Sequence, residues 1–162
     1  MSEADLFARP EEPGPAFARL VRIMGMLRGE GGCPWDREQT LESLRTYLLE
    51  ETYEVLDALD SGSVDDHLEE LGDLLLQVVF QSEIRREEQR FDAAGVANAI
   101  SDKLVRRHPH VFADEVAGTA DEVITRWEEI KAGEKGPRRS RLDGVPRALP
   151  ALARAALAAG LA

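Results

Sequence analysis

The chain has 162 residues, 43% of them hydrophobic, and a formal net charge of −11 at pH 7. That length suits one domain with a sizeable core, and the acidic balance argues against a nucleic-acid duplex or an anionic membrane as partner. The single cysteine, Cys33, excludes an internal disulfide framework and fits a reducing cytoplasm.

Met1 to Pro15 is acidic and Pro-rich without the basic start and apolar core of a signal peptide, and is expected to be a flexible tail. FARLVRIMGML, from Phe17 to Leu27, has apolar residues at helical spacing and predicts the first helix, ended by Gly29-Glu30-Gly31-Gly32. Cys33-Pro34-Trp35-Asp36 is expected to be a loop. Thr40 is the expected N-cap of a second helix running to about Leu59. A third runs from Val64 to about Gln89 as the spine of a bundle. Asp92 caps a fourth, which ends near Arg107 because residues before a proline leave the helical region at His108-Pro109-His110. ADEVITRWEEIK, Ala120 to Lys131, gives a fifth helix with an acidic start and a basic end. Gly136 to Pro150 is rich in Arg, Pro and Gly and is expected to be a loop; Ala151 to Ala162 has high helix propensity and little to pack against from within. No strand alternation and no internal repeat is present, so the chain is expected to be all-α. No apolar run reaches the roughly 20 residues that span a bilayer, which predicts a soluble protein.

The chemistry concentrates between Leu49 and Phe80, LEETYEVLDALDSGSVDDHLEELGDLLLQVVF, two helices joined at Ser61-Gly62-Ser63. Glu51 and Glu54 precede the turn; Glu70 and Asp73 follow it. Residues three apart on a helix, at about 100° per residue, project from one face. Glu51 and Asp73 are equidistant from Gly62 along the chain, as are Glu54 and Glu70, so an antiparallel hairpin converges all four. Glu51 shares its stripe with Leu44, Leu48 and Val55, and Asp73 sits in a run apolar almost all round, which predicts a dry cleft. Clustered carboxylates there need a counter-charge, and oxygen ligands favour Mg²⁺, with Mn²⁺ as a substitute. The alternative, a solvated acidic face paired with bases, fits less well because the hairpin contains no Lys or Arg. A di-iron centre lacks its Glu-x-x-His pairs.

Outside the hairpin, Lys103 and Arg107 are four apart and can grip phosphate oxygens, although bases at a helix end also serve the helix dipole. Trp127 and Lys131 are likewise four apart and can stack a base and meet a phosphate; a core tryptophan is the competing explanation. Trp35 can line a cleft. His108 and His110 have no further His or suitably spaced Cys to complete a zinc site and are taken as a helix stop.

The segments CPWDREQT, LLEETYEVLDAL, EELGDLLLQVVF and SDKLVRRHPHVF together resemble the MazG family of nucleoside triphosphate pyrophosphohydrolases, from about Arg19 to Ala151. The resemblance implies a four-helix bundle completed by oligomerisation, with a catalytic domain over 16–135 and a loop and helical tail over 136–162. It implies Mg²⁺ held by Glu51, Glu54, Glu70 and Asp73, and cleavage of a (d)NTP between its α and β phosphates to the monophosphate and pyrophosphate. Better-known members carry two such domains in tandem. This chain resembles a first copy, and PRALPALARA resembles the start of a linker. Ser101 stands where active copies often have asparagine. The expected mechanism is attack of an activated water on the α-phosphorus, with Glu50 orienting or deprotonating that water. Lys103, Arg107 and Lys131 are expected on the β and γ phosphates, reaching across a subunit boundary, and Trp35 or Trp127 at the base. A homodimer or a dimer of dimers is expected, acting in house-cleaning of non-canonical nucleotides in the cytoplasm. The rival expectation is a catalytically weak helical oligomerisation or nucleotide-sensing module.

Overall fold

A computed structural model describes residues 7, 9–113, 118–135 and 145–159. Among them every regular element is helical, as expected. The elements in order are α1 (Pro13–Arg28), α2 (Pro34–Glu38), α3 (Leu44–Ser61), α4 (Val64–Glu87), α5 (Ala93–Arg107), α6 (Pro109–Phe112), α7 (Ala120–Lys135) and α8 (Ala151–Ala159). The chain divides into two compact units, Met1–Ile100 and Ser101–Ala162.

In the first unit α3 and α4 form the hairpin, and α1 packs on α4. The core is Met24 of α1, Leu44 of α3 and Val79, Phe80 and Ile84 of α4, with Phe17, Leu20, Val21, Leu41, Tyr47 and Leu76 packed around it. Gly62 makes the hairpin turn in the left-handed region at φ 72°, a conformation that residues with side chains adopt only at a cost. Ser63 then opens α4, its hydroxyl accepting from the Asp66 amide. Asp92 caps α5 as expected, through the Gly95 amide at 2.8 Å.

Four expectations need correction. Pro13 opens α1, so the helix takes the last residues assigned to the tail; proline is well suited to a first helical turn, where its missing N–H costs nothing. Much of the rest of that tail lies outside the described residues, as does most of 136–150. Cys33-Pro34-Trp35-Asp36 is not a loop throughout: Pro34 starts the short helix α2, which carries Trp35. The second helix begins at Leu44 rather than beside Thr40, whose side chain instead accepts from the Ser43 amide in the preceding turn. Beyond His108 the chain does not simply stop but makes one more turn, α6.

One residue binds the end of the first unit together. Arg28, in the last turn of α1, donates to both Glu87 oxygens at 2.8 and 2.7 Å. Its third nitrogen donates to the carbonyls of Asp36 and Gln39, and the guanidinium lies 5.5 Å from the Phe80 ring centre. A planar fork with five donors can serve α1, α2 and α4 at once.

Candidate metal centre and cationic cluster

The hairpin positions the acids. Glu51 and Glu54 project from α3, Glu70 and Asp73 from α4, and Gly62 sets the register between them. Oxygens of Glu51, Glu70 and Asp73 lie within 4.8 Å of one another. Glu54, one turn along α3, stands outside that trio but close enough for its charge to act on the Glu51 carboxyl. Oxygens facing each other across a Mg²⁺ ion stand about 4.2 Å apart, so the group is close to ligand spacing. The donor set is all oxygen and suits a hard divalent cation.

Electrostatics mark the same residues. Burial, and then the negative charges of Asp73, Glu54 and Glu70, push the Glu51 carboxyl above its ordinary value. Burial followed by Glu54 and Asp73 pushes Glu70 in the same direction. These are groups that gain from a nearby positive charge.

The expected dry cleft is not what the chain alone makes. Glu51, Glu70 and Asp73 are half-buried, and Glu54 is exposed. Among the described residues α4 packs chiefly on α3 and α1, and Leu68, Leu71, Leu75 and Val78 stay exposed. Glu50 is an exposed residue of α3, and Trp35 is 50% exposed with its ring edge-on to Tyr47 at 5.8 Å.

The second unit brings three predicted residues together. The Arg107 guanidinium lies 5.0 Å from the Trp127 ring centre and the Lys131 amine 4.5 Å from it. Lys103 is half-buried one turn before Arg107. Sequence reasoning missed Glu134, one turn beyond Lys131, whose carboxylate binds both Arg106 and Arg107. The sequence held only half of the signal, an acid on the Trp127–Lys131 face of one helix and an Arg-Arg pair on another, with no local spacing to link them. His108 and His110 lie 5.6 Å apart, ring to ring, and among the described residues neither belongs to a metal-ligating group. No described helix is long and apolar enough to cross a membrane.

Comparison with known proteins points to one family. Residues 39–112 match the MazG nucleotide pyrophosphohydrolase domain, a span holding every carboxylate of the cluster together with Lys103 and Arg107. A nucleoside triphosphate pyrophosphohydrolase of Escherichia coli (strain K12) is 56% identical over 140 residues, covering 85% of this chain and 53% of that protein. The Thermotoga maritima protein named nucleoside triphosphate pyrophosphohydrolase/pyrophosphatase MazG is 47% identical over 146 residues, covering 90% of this chain and 56% of its own length. The chain thus spans about half the length of these curated relatives. The crystal structure of a mazG-related protein from Thermotoga maritima superposes with a TM-score of 0.59 at 25% identity, over 70% of this chain and 97% of that one. An all-helical hairpin with ExxE and ExxD facing each other across a glycine turn, and this extent of identity around it, place the chain in the MazG nucleotide pyrophosphohydrolase family.

Proposed function

We propose that the chain is a divalent-cation-dependent nucleoside triphosphate pyrophosphohydrolase, releasing pyrophosphate from (d)NTPs and leaving the monophosphate. The observation that carries this is the convergence of Glu51, Glu70 and Asp73 within 4.8 Å, with Glu51 and Glu70 both held above their ordinary carboxylate values. The relatives named for that activity support it.

Glu51, Glu54, Glu70 and Asp73 are the residues that would hold Mg²⁺, or Mn²⁺ in its place. Bound there, the cation supplies charge neutralisation for a triphosphate approaching a chain of net charge −11, and Lewis acidity at the phosphates. Water oxygen attacks the α-phosphorus, the bond to the bridging oxygen breaks, and pyrophosphate departs with that oxygen. Glu50 takes the proton from the attacking water. Lys103, Arg107 and Lys131 form the cationic set for the β and γ phosphates, and Trp127 or Trp35 faces the base. House-cleaning of non-canonical nucleotides, in the cytoplasm, is the role this activity suits.

The chain works as a homodimer or a dimer of dimers. Leu49, Tyr53 and Leu56 on α3, and Leu68, Leu71, Leu75 and Val78 on α4, are exposed at helical spacing. Each set is a stripe that a second hairpin can bury, completing four helices around the carboxylates.

The test is pyrophosphate release from a panel of dNTPs with and without Mg²⁺. Glu54→Ala and Asp73→Ala are each expected to lower kcat by at least about 10²-fold while circular dichroism and oligomer mass stay unchanged. A folded Asp73→Ala variant with near-normal turnover removes the cluster from the reaction. A wild-type chain that binds nucleotide and releases no pyrophosphate favours the sensing module instead.

A further inference from the structure

We propose that Glu134 is a positioning residue for nucleotide binding: through Arg107 it fixes the ring plane of Trp127. This rests on the assignment of Trp127 and Lys131 to the nucleotide. Arg107 is only 8% exposed. Its Nε and Nη2 both donate to Glu134 Oε2, at 3.1 and 2.5 Å, while Arg106 Nε donates to Glu134 Oε1 at 2.6 Å. The same guanidinium lies 5.0 Å from the Trp127 ring centre. One edge of the fork is therefore committed to a carboxylate and the group as a whole to an indole, an arrangement that holds both partners in place.

The commitment divides the labour within the cationic set. Arg107 cannot swing toward a phosphate without releasing Glu134 and Trp127, so its contribution is to orient the ring and to supply charge from a fixed place. Lys131 is the adaptable member. Its amine lies 4.5 Å from the same ring, and its ion pair to Glu128 is an i, i+3 surface contact with the acid 53% exposed, the kind of pair that is easily exchanged. Trp127, Lys131 and Glu134 follow one another at helical spacing on α7, so ring, mobile cation and anchor share one face. The two arginines hold the Glu134 carboxyl down to about 2, so the anchor stays charged throughout the neutral range. Two guanidiniums against one carboxylate also leave positive charge at the cluster.

The experiment uses Glu134→Gln and Glu134→Asp in the full chain with Mg²⁺ and a dNTP. Glu134→Gln is expected to raise KM by about fivefold to twentyfold, from loss of a charge-assisted anchor, with kcat within about twofold. Trp127 emission, taken as the difference from Trp127→Phe, is expected to shift in the nucleotide-free protein, and Glu134→Asp to recover part of both effects. Unchanged KM together with unchanged Trp127 emission in a folded variant overturns the inference, as does a lower Tm with KM unmoved. If the unmodified chain releases no pyrophosphate, the proposed activity fails, and the emission difference alone decides whether Glu134 orients Trp127.

Discussion

At the scale of single residues, helix periodicity and a glycine turn predict where four carboxylates go, and three of them, Glu51, Glu70 and Asp73, stand together while Glu54 is exposed. What sequence could not give was their exposure. Asp73 lies in an almost wholly apolar run, yet it is half-buried, because burial depends on how many neighbours the fold supplies. The raised carboxyls of Glu51 and Glu70 make a prediction with a definite sign. A carboxyl raised on folding binds its proton more tightly in the native chain, so this site favours the native state in mild acid and opposes it as pH rises through the shifted range. A divalent cation removes that penalty. Thermal melts with and without MgCl₂ are therefore expected to separate widely near pH 7.5 and to converge toward pH 5, as protons displace the cation. Equal separation at both pH values would mean that the ion binds elsewhere.

Among the elements, the long α4 and the capped α5 were readable from apolar spacing and from Asp92, and both stand where the pattern puts them. The short α2 was not, because five residues carry too little periodicity to distinguish a helix from a loop, and only Pro34 hinted at a helical start. Arg28 was equally invisible: its partners Asp36, Gln39 and Glu87 are set by tertiary packing, and no local spacing links them. Its side chain is 7% exposed whereas that of Glu87 is 37% exposed, so the pair is partly screened. Arg28→Met, which keeps the apolar stem and removes five donors, is expected to cost about 1–3 kcal/mol. Chemical denaturation should show this as a lower midpoint with an unchanged slope. A change below about 0.5 kcal/mol would show that water replaces the fork at no penalty.

For the molecule as a whole, the all-helical class followed from the absence of strand alternation, but the balance of buried and exposed apolar surface did not. Leu75 and Leu71 are 41% and 45% exposed, and with Leu68 and Val78 they continue one apolar stripe along α4. If the α3 and α4 stripes meet those of a second copy, Leu75→Asp is expected to lower the mass measured by light scattering to that of one chain. The same change is expected to weaken Mg²⁺ binding, because the cluster then stays open to water. A variant that remains associated would place the interface on another face. The second unit was legible only in part. Lys103, Arg107, Trp127 and Lys131 could be listed from spacing, whereas the pairing of Glu134 with Arg106 and Arg107 depends on how α5 and α7 meet.

The glycine turn at Gly62 carries an evolutionary consequence. One residue added within α4, between that turn and Glu70, would carry Glu70 and Asp73 about 1.5 Å along the helix and about 100° around it, away from Glu51 although every acid survived. Turns usually absorb insertions freely, but the helical stretch from Gly62 to the acids acts as a ruler. Descendants of this fold can vary its letters far more readily than its length, and a homologue with a longer stretch there is expected to hold a divalent cation weakly even when both acidic motifs remain intact.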